Sequence, residues 1–130
     1  MFIKIDFSSE IPIYLQLRNE IVEGIAKSLL KPGDLLPSVR QMGEDLGINL
    51  HTANKAYAIL KDEGFVQMHK RSGVVVSSFD DMKRANYLEP LKESLRPLVA
   101  ESLCRSVSKE ELSLIIFSIY DELKKGGENV

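Results

Sequence analysis

Residues 37–57 contain two short helical patterns separated by a tight turn, and this pairing constrains the fold more than any other feature of the chain. Gly43 is small at the point where the two helices must approach each other closely. Gly47 lies where the turn needs a positive φ, which glycine adopts at little cost. Asn49 supplies a side-chain oxygen that can cap the second helix. The segment is therefore predicted to be a helix-turn-helix, a motif that binds DNA.

The composition is that of an ordinary globular chain. Of its 130 residues, 44% are hydrophobic and 28% are charged, which leaves room for one domain and a modest appendage. No apolar run approaches the roughly 18 residues that a membrane span needs, and the first residues lack a secretory signal pattern, so we expect a cytoplasmic protein. The single cysteine, Cys104, excludes an internal disulfide and is expected to be a small buried hydrophobic residue.

The charges are unevenly distributed along the chain. A net charge of −2 argues against binding nucleic acid by bulk attraction, so a DNA-binding surface has to be a local patch. Residues 46–61 and 64–79 contain no acidic residue, whereas residues 80–130 carry eight basic and ten acidic residues. The basic side chains of the two acid-free segments are His51, Lys55, Lys61, His69, Lys70 and Arg71. The first 79 residues are therefore the candidate for touching phosphate.

The first part of the chain is predicted to form an extended arm and a helix. Residues 2–7 alternate between apolar and polar side chains, as a short extended segment does. Ser8 or Ser9 is expected to cap the first helix, which has Pro12 near its first turn and ends near Leu30. A turn at residues 31–34 and a very short strand at Leu35 and Leu36 are expected to follow.

The second helix is predicted over residues 38–46 and the third over residues 50–63, with Gly64 just past its end. The third helix has one apolar stripe, formed by Ala53, Ala56, Tyr57 and Leu60. At 100° per residue, His51 and Lys55 point almost directly away from that stripe. Thr52 and Asn54 lie on its flanks. These polar side chains are the ones exposed to a partner.

A β-hairpin is predicted directly after the third helix. Residues 65–69 and 74–78 are β-rich, and the loop between them contains Lys70, Arg71 and Gly73. A hairpin in this position is a wing. Its basic tip can reach a minor groove or a phosphate while the helix occupies the major groove.

From residue 80 the pattern is helical again. Pro90 and Pro97 are expected to bend or split this helix. The capping box of Ser108 and Glu111 begins a last helix, which is expected to end at residues 126–127.

The last helix is apolar on more than one side, because Leu114 and Phe117 project away from its main stripe. Such a helix needs two packing partners, and the second is predicted to be another copy of the protein. The alternative is that Leu114 or Phe117 packs on the preceding helix. The predicted dimer contacts are Leu91, Leu95, Leu98, Leu114, Phe117 and Tyr120.

Several of these segments match one known family in order and spacing. They are residues 11–17, Pro37-Ser38-Val39-Arg40, residues 46–49, Thr52, Lys55-Ala56-Tyr57, Leu60, Glu63-Gly64 and residues 73–76. Over residues 8–78 the chain resembles the winged helix-turn-helix of the GntR family of bacterial transcription regulators. The short two-helix tail is similar to that of the YtrA subfamily, whereas other subfamilies carry much longer effector domains.

The resemblance implies a mainly α fold with a small β-wing. A winged helix-turn-helix domain would occupy residues 1–79, and a C-terminal helical dimerisation hairpin residues 80–130. It further implies a homodimer that binds a pseudo-palindromic operator in double-stranded DNA, usually as a repressor and often of transporter genes.

The resemblance also implies which residues contact DNA. Ser38 and Arg40 fall at the backbone-contacting start of the second helix. Bases and adjacent phosphates would be contacted from the third helix and the wing tip, by Leu50, His51, Thr52, Asn54, Lys55, Lys70, Arg71 and Gly73.

Two positions depart from the family pattern. Leu50 stands where the family more often has a polar residue or proline, so it cannot hydrogen-bond a base but can contact a thymine methyl group. Arg71 replaces the first of two glycines in the wing. The Arg71 side chain hinders a close approach of the wing backbone to the minor groove. It also adds a positive charge that suits a phosphate or a narrow minor groove.

Other functions find little support in the sequence. No nucleophile elbow, phosphate-binding glycine loop or paired carboxylates indicate an enzyme, and no cofactor is expected. His51 and His69 lack companions at metal-ligand spacing. An unidentified small-molecule effector could bind where the tail meets the winged domain or the second tail. The alternative function is a winged-helix module that binds a protein instead of DNA.

Overall fold

The protein is described by a computed structural model that covers residues 2–126. The described chain forms two compact units, one up to Ser78 and the other Phe79–Lys125. Its helices and strands are α1 (Ile13–Ala26), β1 (Leu35–Leu36), α2 (Val39–Leu46), α3 (Leu50–Asp62), β2 (Val66–His69), β3 (Gly73–Val76), α4 (Asp81–Cys104) and α5 (Lys109–Gly126). The predicted fold class, mainly helical with a small β-wing, is confirmed. Among the described residues, no helix is long and apolar enough to cross a membrane.

The core of the first unit is built around α3. Its four predicted stripe residues are fully buried, and α1, α2 and β2 pack against this helix. Each large side chain that leaves water here contributes roughly 1.5–3 kcal/mol. The remaining core residues come from the other elements and from the arm: Ile3, Leu17, Ile21, Leu36, Met42, Val66, Val74 and Val76.

The three strands form one antiparallel sheet in the order β1-β3-β2. In the hairpin, Val66 pairs with Val76 and His69 pairs with Gly73. Leu35 of the two-residue strand β1 pairs with Val75. The predicted wing and short strand are therefore confirmed.

Helices α2 and α3 end at the predicted glycines. Gly47 has a φ of 67° and Gly64 a φ of 86°, the left-handed conformation that ends a helix. In each case the next residue donates its N–H to a carbonyl five residues earlier. The same pattern ends α1 and α4, but serine takes the left-handed position, with φ values of 61° at Ser28 and 62° at Ser106.

Two predictions about α1 are wrong. The helix ends at Ala26, not near Leu30, because Ser28 turns the chain before the proline and glycine that indicated the stop. Pro12 is the N-terminal cap residue, and neither Ser8 nor Ser9 caps the helix.

The arm before α1 contains no strand, and side-chain hydrogen bonds hold it in place. The Gln16 amide nitrogen donates to the carbonyl oxygens of Asp6 (3.0 Å) and Ile11 (2.7 Å), and its oxygen accepts from the Asp6 N–H (2.8 Å). Ser8 donates its hydroxyl and its N–H to the Asp6 carboxylate, which lowers the pKa of Asp6.

Helix α4 is continuous although it contains Pro90 and Pro97, so of the predicted bend or split, the split is wrong and the bend stays a prediction. Each proline removes one backbone hydrogen bond and frees the carbonyl four residues earlier. These carbonyls belong to Asn86 and Glu93, which are exposed, so water can satisfy them. The helix therefore tolerates both prolines.

The capping box that begins α5 is confirmed. Ser108 donates its N–H to the Glu111 carboxylate (3.1 Å), and the Glu111 N–H donates to the Ser108 hydroxyl (3.0 Å). These two bonds lower the pKa of Glu111. The helix is described as far as Gly126, and Gly127, which shared the predicted end, lies outside the described residues.

No residue of α4 or α5 is buried in the described chain. The two helices are joined by a short turn, but over their described residues they do not pack along each other. The two helices and the turn of the predicted helical hairpin are therefore present, but the described parts of α4 and α5 form no packing interface with each other. Cys104 is exposed, so its predicted burial is wrong, because α4 has no core to enter.

We expect Tyr57→Phe to destabilise the protein by about 1 kcal/mol, the usual net value of a hydrogen bond. The buried Tyr57 hydroxyl donates to the Pro37 carbonyl oxygen at 2.7 Å, and burial raises the pKa of this phenol. Urea unfolding measures the change. Tyr120→Phe, at an exposed ring, is the control. An equal effect of both variants would contradict the role assigned to the Tyr57 bond.

Candidate nucleic-acid interface

Helix α2 begins with a side-chain cap and an exposed arginine. The Ser38 hydroxyl accepts from the Gln41 N–H at 3.1 Å, as an N-cap residue does. Arg40 is exposed in the first turn and has no carboxylate within 4.0 Å among the described residues. Glu44, one turn further along α2, forms no ion pair with it, and Asp45 accepts from the Gln41 side chain at 2.7 Å. The positive charge of Arg40 is thus left for a ligand.

The head of α3 presents the predicted polar side chains. Asn49 caps the helix, because its side-chain oxygen accepts from the His51 N–H at 2.7 Å. His51, Asn54 and Lys55 are exposed, and Thr52 is half-buried. Leu50 is 44% exposed, which is unusual for a leucine in the first turn of a helix with a full core on its other side.

The turn between α2 and α3 is fixed by close packing at Gly43. A β-carbon added to this glycine would lie 3.2 Å from the Ile48 carbonyl oxygen and 3.9 Å from the Ala53 side chain. The first distance is tighter than nearly all real β-carbon contacts, and the oxygen belongs to the backbone, which cannot easily move. The predicted close approach at Gly43 is confirmed, and it sets the position of α3 relative to α2.

The helix N-termini differ between the two units. The first turns of α1, α2 and α3 contain no acidic residue, whereas α4 has Asp81 and α5 has Glu110 and Glu111. A helix N-terminus carries a partial positive charge that such acids complement. In the first unit this charge is left uncompensated, which suits a phosphate.

The wing tip is exposed and basic. Lys70 and Arg71 are exposed, and neither has a carboxylate within 4.0 Å in the part of the chain that the structure describes. Gly73 begins β3 with a φ of 86°, so it is the glycine that reverses the hairpin. The structure therefore places the predicted wing residues at a hairpin tip.

One feature of the site was not predicted from the sequence. The Lys55 ammonium lies 4.0 Å from the centre of the Tyr14 ring, so α1 contributes to the exposed side of α3. One turn further along α1, Arg18 forms two hydrogen bonds with the Glu63 carboxylate (2.9 and 3.3 Å). Because Tyr14 and Arg18 are four residues apart, the sequence indicates that they lie on the same side of α1. It does not indicate that this side packs against α3.

The predicted dimer contacts lie on the surface of the single chain. Leu91 is half-buried, and the other five are exposed, among them Leu114 at 68% and Phe117 at 64%. The alternative in which Leu114 or Phe117 packs into the preceding helix is therefore not found. Along α4, an open apolar groove is lined by Leu88, Leu91, Lys92, Leu95, Arg96 and Val99.

A three-helix core with a tight α2–α3 turn, an exposed polar side on α3 and a basic hairpin after it defines a class of protein. That class is the winged helix-turn-helix regulator, which places α3 in the major groove of DNA. The chain belongs to the GntR family, because the model for "Bacterial regulatory proteins, gntR family" matches residues 13–76 and a relative in this family matches almost throughout.

That relative is the HTH-type transcriptional repressor YtrA of Bacillus subtilis, which is 32% identical over 130 residues and 98% of each chain. Among solved structures, YtrA from Sulfolobus acidocaldarius, a GntR-family transcription factor, is 41% identical with a TM-score of 0.66, over 80% of this chain and 99% of that one. A transcriptional antiterminator from Listeria monocytogenes is 26% identical with a TM-score of 0.78, over 95% and 92%. The chain is thus a DNA-binding transcriptional regulator of YtrA type.

Proposed function

We propose that this regulator acts as a homodimeric repressor, which binds a pseudo-palindromic operator and controls genes that include transporters. The proposal includes a cytoplasmic location, because the operator would lie in genomic DNA. The observation that carries the DNA-binding surface is that α2, α3 and the wing all expose cations with no carboxylate within 4.0 Å among the described residues. These cations are Arg40, Lys55, Lys70 and Arg71.

In this proposal two groups of residues contact different parts of the DNA. The sugar-phosphate backbone is contacted by the start of α2 and by the wing tip, and these contacts set the position of the protein along the duplex. The residues are Ser38, Arg40, Lys70, Arg71 and Gly73. The first turns of α3 carry the side chains that contact base edges or adjacent phosphates, namely Leu50, His51, Thr52, Asn54 and Lys55. The exposure of four of these five side chains supports the assignment.

We expect Arg40→Ala to weaken DNA binding for all sequences, whereas His51→Ala changes the preference among operator variants. Log affinity falls linearly with log salt. Each lost phosphate contact makes this slope less steep by about 0.9, or by about 2 for a dimer that loses two contacts. Gel shifts at several salt concentrations measure both effects. The operator can be sought as an inverted repeat in the DNA that flanks the protein's own gene.

Arg84→Ala, an exposed arginine on α4, is the matched control and should leave the salt slope unchanged. A wild-type protein without salt-dependent DNA binding would favour the alternative function as a protein-binding module. If Arg40→Ala behaves like Arg84→Ala, the proposed surface is wrong.

Leu50 is proposed to contact a thymine methyl group in the major groove. Replacing that thymine by deoxyuridine removes the methyl group and keeps every hydrogen bond, so we expect affinity to fall about fourfold per half-site, as for one buried methylene. In Leu50→Ala the same base change should have no effect. A loss that is equal in both proteins would show that another residue contacts the methyl group.

The dimer is proposed because α4 and α5 have apolar sides that the described chain does not cover. Thirteen large hydrophobic residues of the two helices are exposed in the single chain. Monomeric proteins rarely expose a contiguous apolar surface of this extent, and symmetric dimers are the commonest way of covering one. Two copies would also supply the two α3 helices that a palindrome needs.

We expect Phe117→Glu to convert the dimer to a monomer, because a charge would enter the apolar contact. Light scattering should then give the mass of one 14.6 kDa chain. Affinity should fall for the full operator, and half-site binding should persist. Lys125→Glu introduces the same side chain at an exposed position in the last turn of α5, away from the predicted dimer contacts, and is the control. A wild-type monomer, or a Phe117→Glu dimer, would contradict the proposal.

The effector remains a prediction of the sequence. In a dimer it would have to change the distance between the two α3 helices, which must be near one DNA turn of about 34 Å for both to enter successive major grooves. Scattering and DNA affinity measured across a panel of ligands would test this regulation.

A further inference from the structure

We propose that Tyr14 is a positioning residue for DNA binding: its ring holds the ammonium group of Lys55 in place for a phosphate without neutralising it. This inference rests on the proposed function, because it assigns Lys55 to the DNA backbone. It concerns a residue of α1, outside the helix-turn-helix and the wing.

The two side chains have complementary environments. The Lys55 nitrogen lies 4.0 Å from the centre of the Tyr14 ring, within the distance at which a ring face attracts a cation. Tyr14 is half-buried and packs against the core, so the ring has a fixed position. Lys55 is exposed and points away from the buried stripe of α3. The ring is thus an anchored platform under an exposed charge.

A second contact of α1, one turn further along, engages the acid at the end of α3. Two guanidinium nitrogens of Arg18 donate to the Glu63 carboxylate, and the Arg18 guanidinium also lies 5.4 Å from the centre of the Phe65 ring. Within the described residues, no carboxylate lies within 4.0 Å of the Lys55 ammonium. Helix α1 therefore pairs Glu63, the residue after α3, with a cation and holds Lys55 of α3 with a ring.

The kind of contact matters for DNA binding. A carboxylate would hold Lys55 equally well, but its charge would cancel the charge that attracts a phosphate. An aromatic face is a quadrupole with no net charge, so the ammonium keeps its full charge. A free lysine side chain also loses considerable rotamer freedom when it is fixed on a ligand. A lysine that is already held in place loses less of this freedom, which increases affinity.

A double-mutant cycle on DNA affinity tests this role. Lys55→Gln should lower affinity and reduce the salt slope by about 0.9 per protomer. Tyr14→Leu, which keeps an apolar side chain but removes the ring, should lower affinity about two- to fivefold per protomer. Tyr14→Phe keeps the ring and should bind DNA as the wild type does. In the Lys55→Gln background, Tyr14→Leu should have no further effect.

Phe79→Leu is the matched control, because Phe79 also lies under a lysine, with the Lys83 nitrogen 4.9 Å from its ring centre, but outside the proposed surface. It should not alter DNA affinity. Equal losses from Tyr14→Leu in both Lys55 backgrounds would overturn the inference, since Tyr14 would then act through the fold alone. A Tyr14→Phe variant as weak as Tyr14→Leu would also overturn it, because the hydroxyl would be the group that matters.

If Tyr14→Leu does not fold, fluorinated phenylalanines at position 14 answer the same question. Successive fluorines weaken the attraction of the ring face for a cation while nearly preserving its shape. Affinity should fall steadily with fluorine number when Lys55 is present and stay constant in Lys55→Gln. A constant affinity in both proteins would overturn the inference. The proposed function is tested separately by Arg40→Ala. If Arg40→Ala weakens salt-dependent DNA binding and Tyr14→Leu does not, only the role of the ring is refuted.

Discussion

The burial of one side of α3 is the constraint on which the rest of the first unit depends. This helix enters a protein core on one side and exposes polar side chains on the other, the side proposed to contact DNA. Two of its four fully buried residues are alanines, and a β-carbon added to Gly43 of α2 would lie 3.9 Å from the side chain of one of them, Ala53. Small side chains on both helices therefore allow a close approach. Tyr57 adds a polar link through its bond to Pro37, which fixes the loop that leads into α2.

Three acids of the first unit accept hydrogen bonds from groups outside the proposed cationic surface, in a chain whose net charge is −2. Asp45 is bound by the Gln41 side chain, Glu63 by Arg18, and Asp34 by the Lys31 N–H at 2.8 Å. None of these contacts involves a side-chain cation of the proposed DNA surface. DNA binding therefore depends on which groups the acidic side chains contact. The net charge of the chain says little about these contacts.

Elements that local chemistry specifies were predicted well from the sequence. The caps at Asn49 and Ser108, the left-handed glycines 47 and 64, and the wing hairpin all depend on residues close together in the chain, and all were confirmed. The end of α1 was missed because Ser28 adopts a left-handed conformation that sequence patterns assign to glycine. The contact of Tyr14 with Lys55 was missed because it joins residues 41 positions apart, and only the packing of α1 on α3 creates it. The burial of Cys104 was wrong because an apolar helical pattern indicates a partner without showing whether it is in the same chain.

The tail without buried residues has a consequence for control in the cell. In a dimer built on this surface, the number of operator-competent molecules rises with the square of the free chain concentration, by mass action. Halving the supply of chains would then reduce that number about fourfold wherever most chains are free. A repressor of this kind would respond steeply to its own synthesis and dilution. Dilution by cell growth would thus relieve repression without any ligand. Dimerisation through the apolar sides of α4 and α5 would make repression depend on the concentration of the protein.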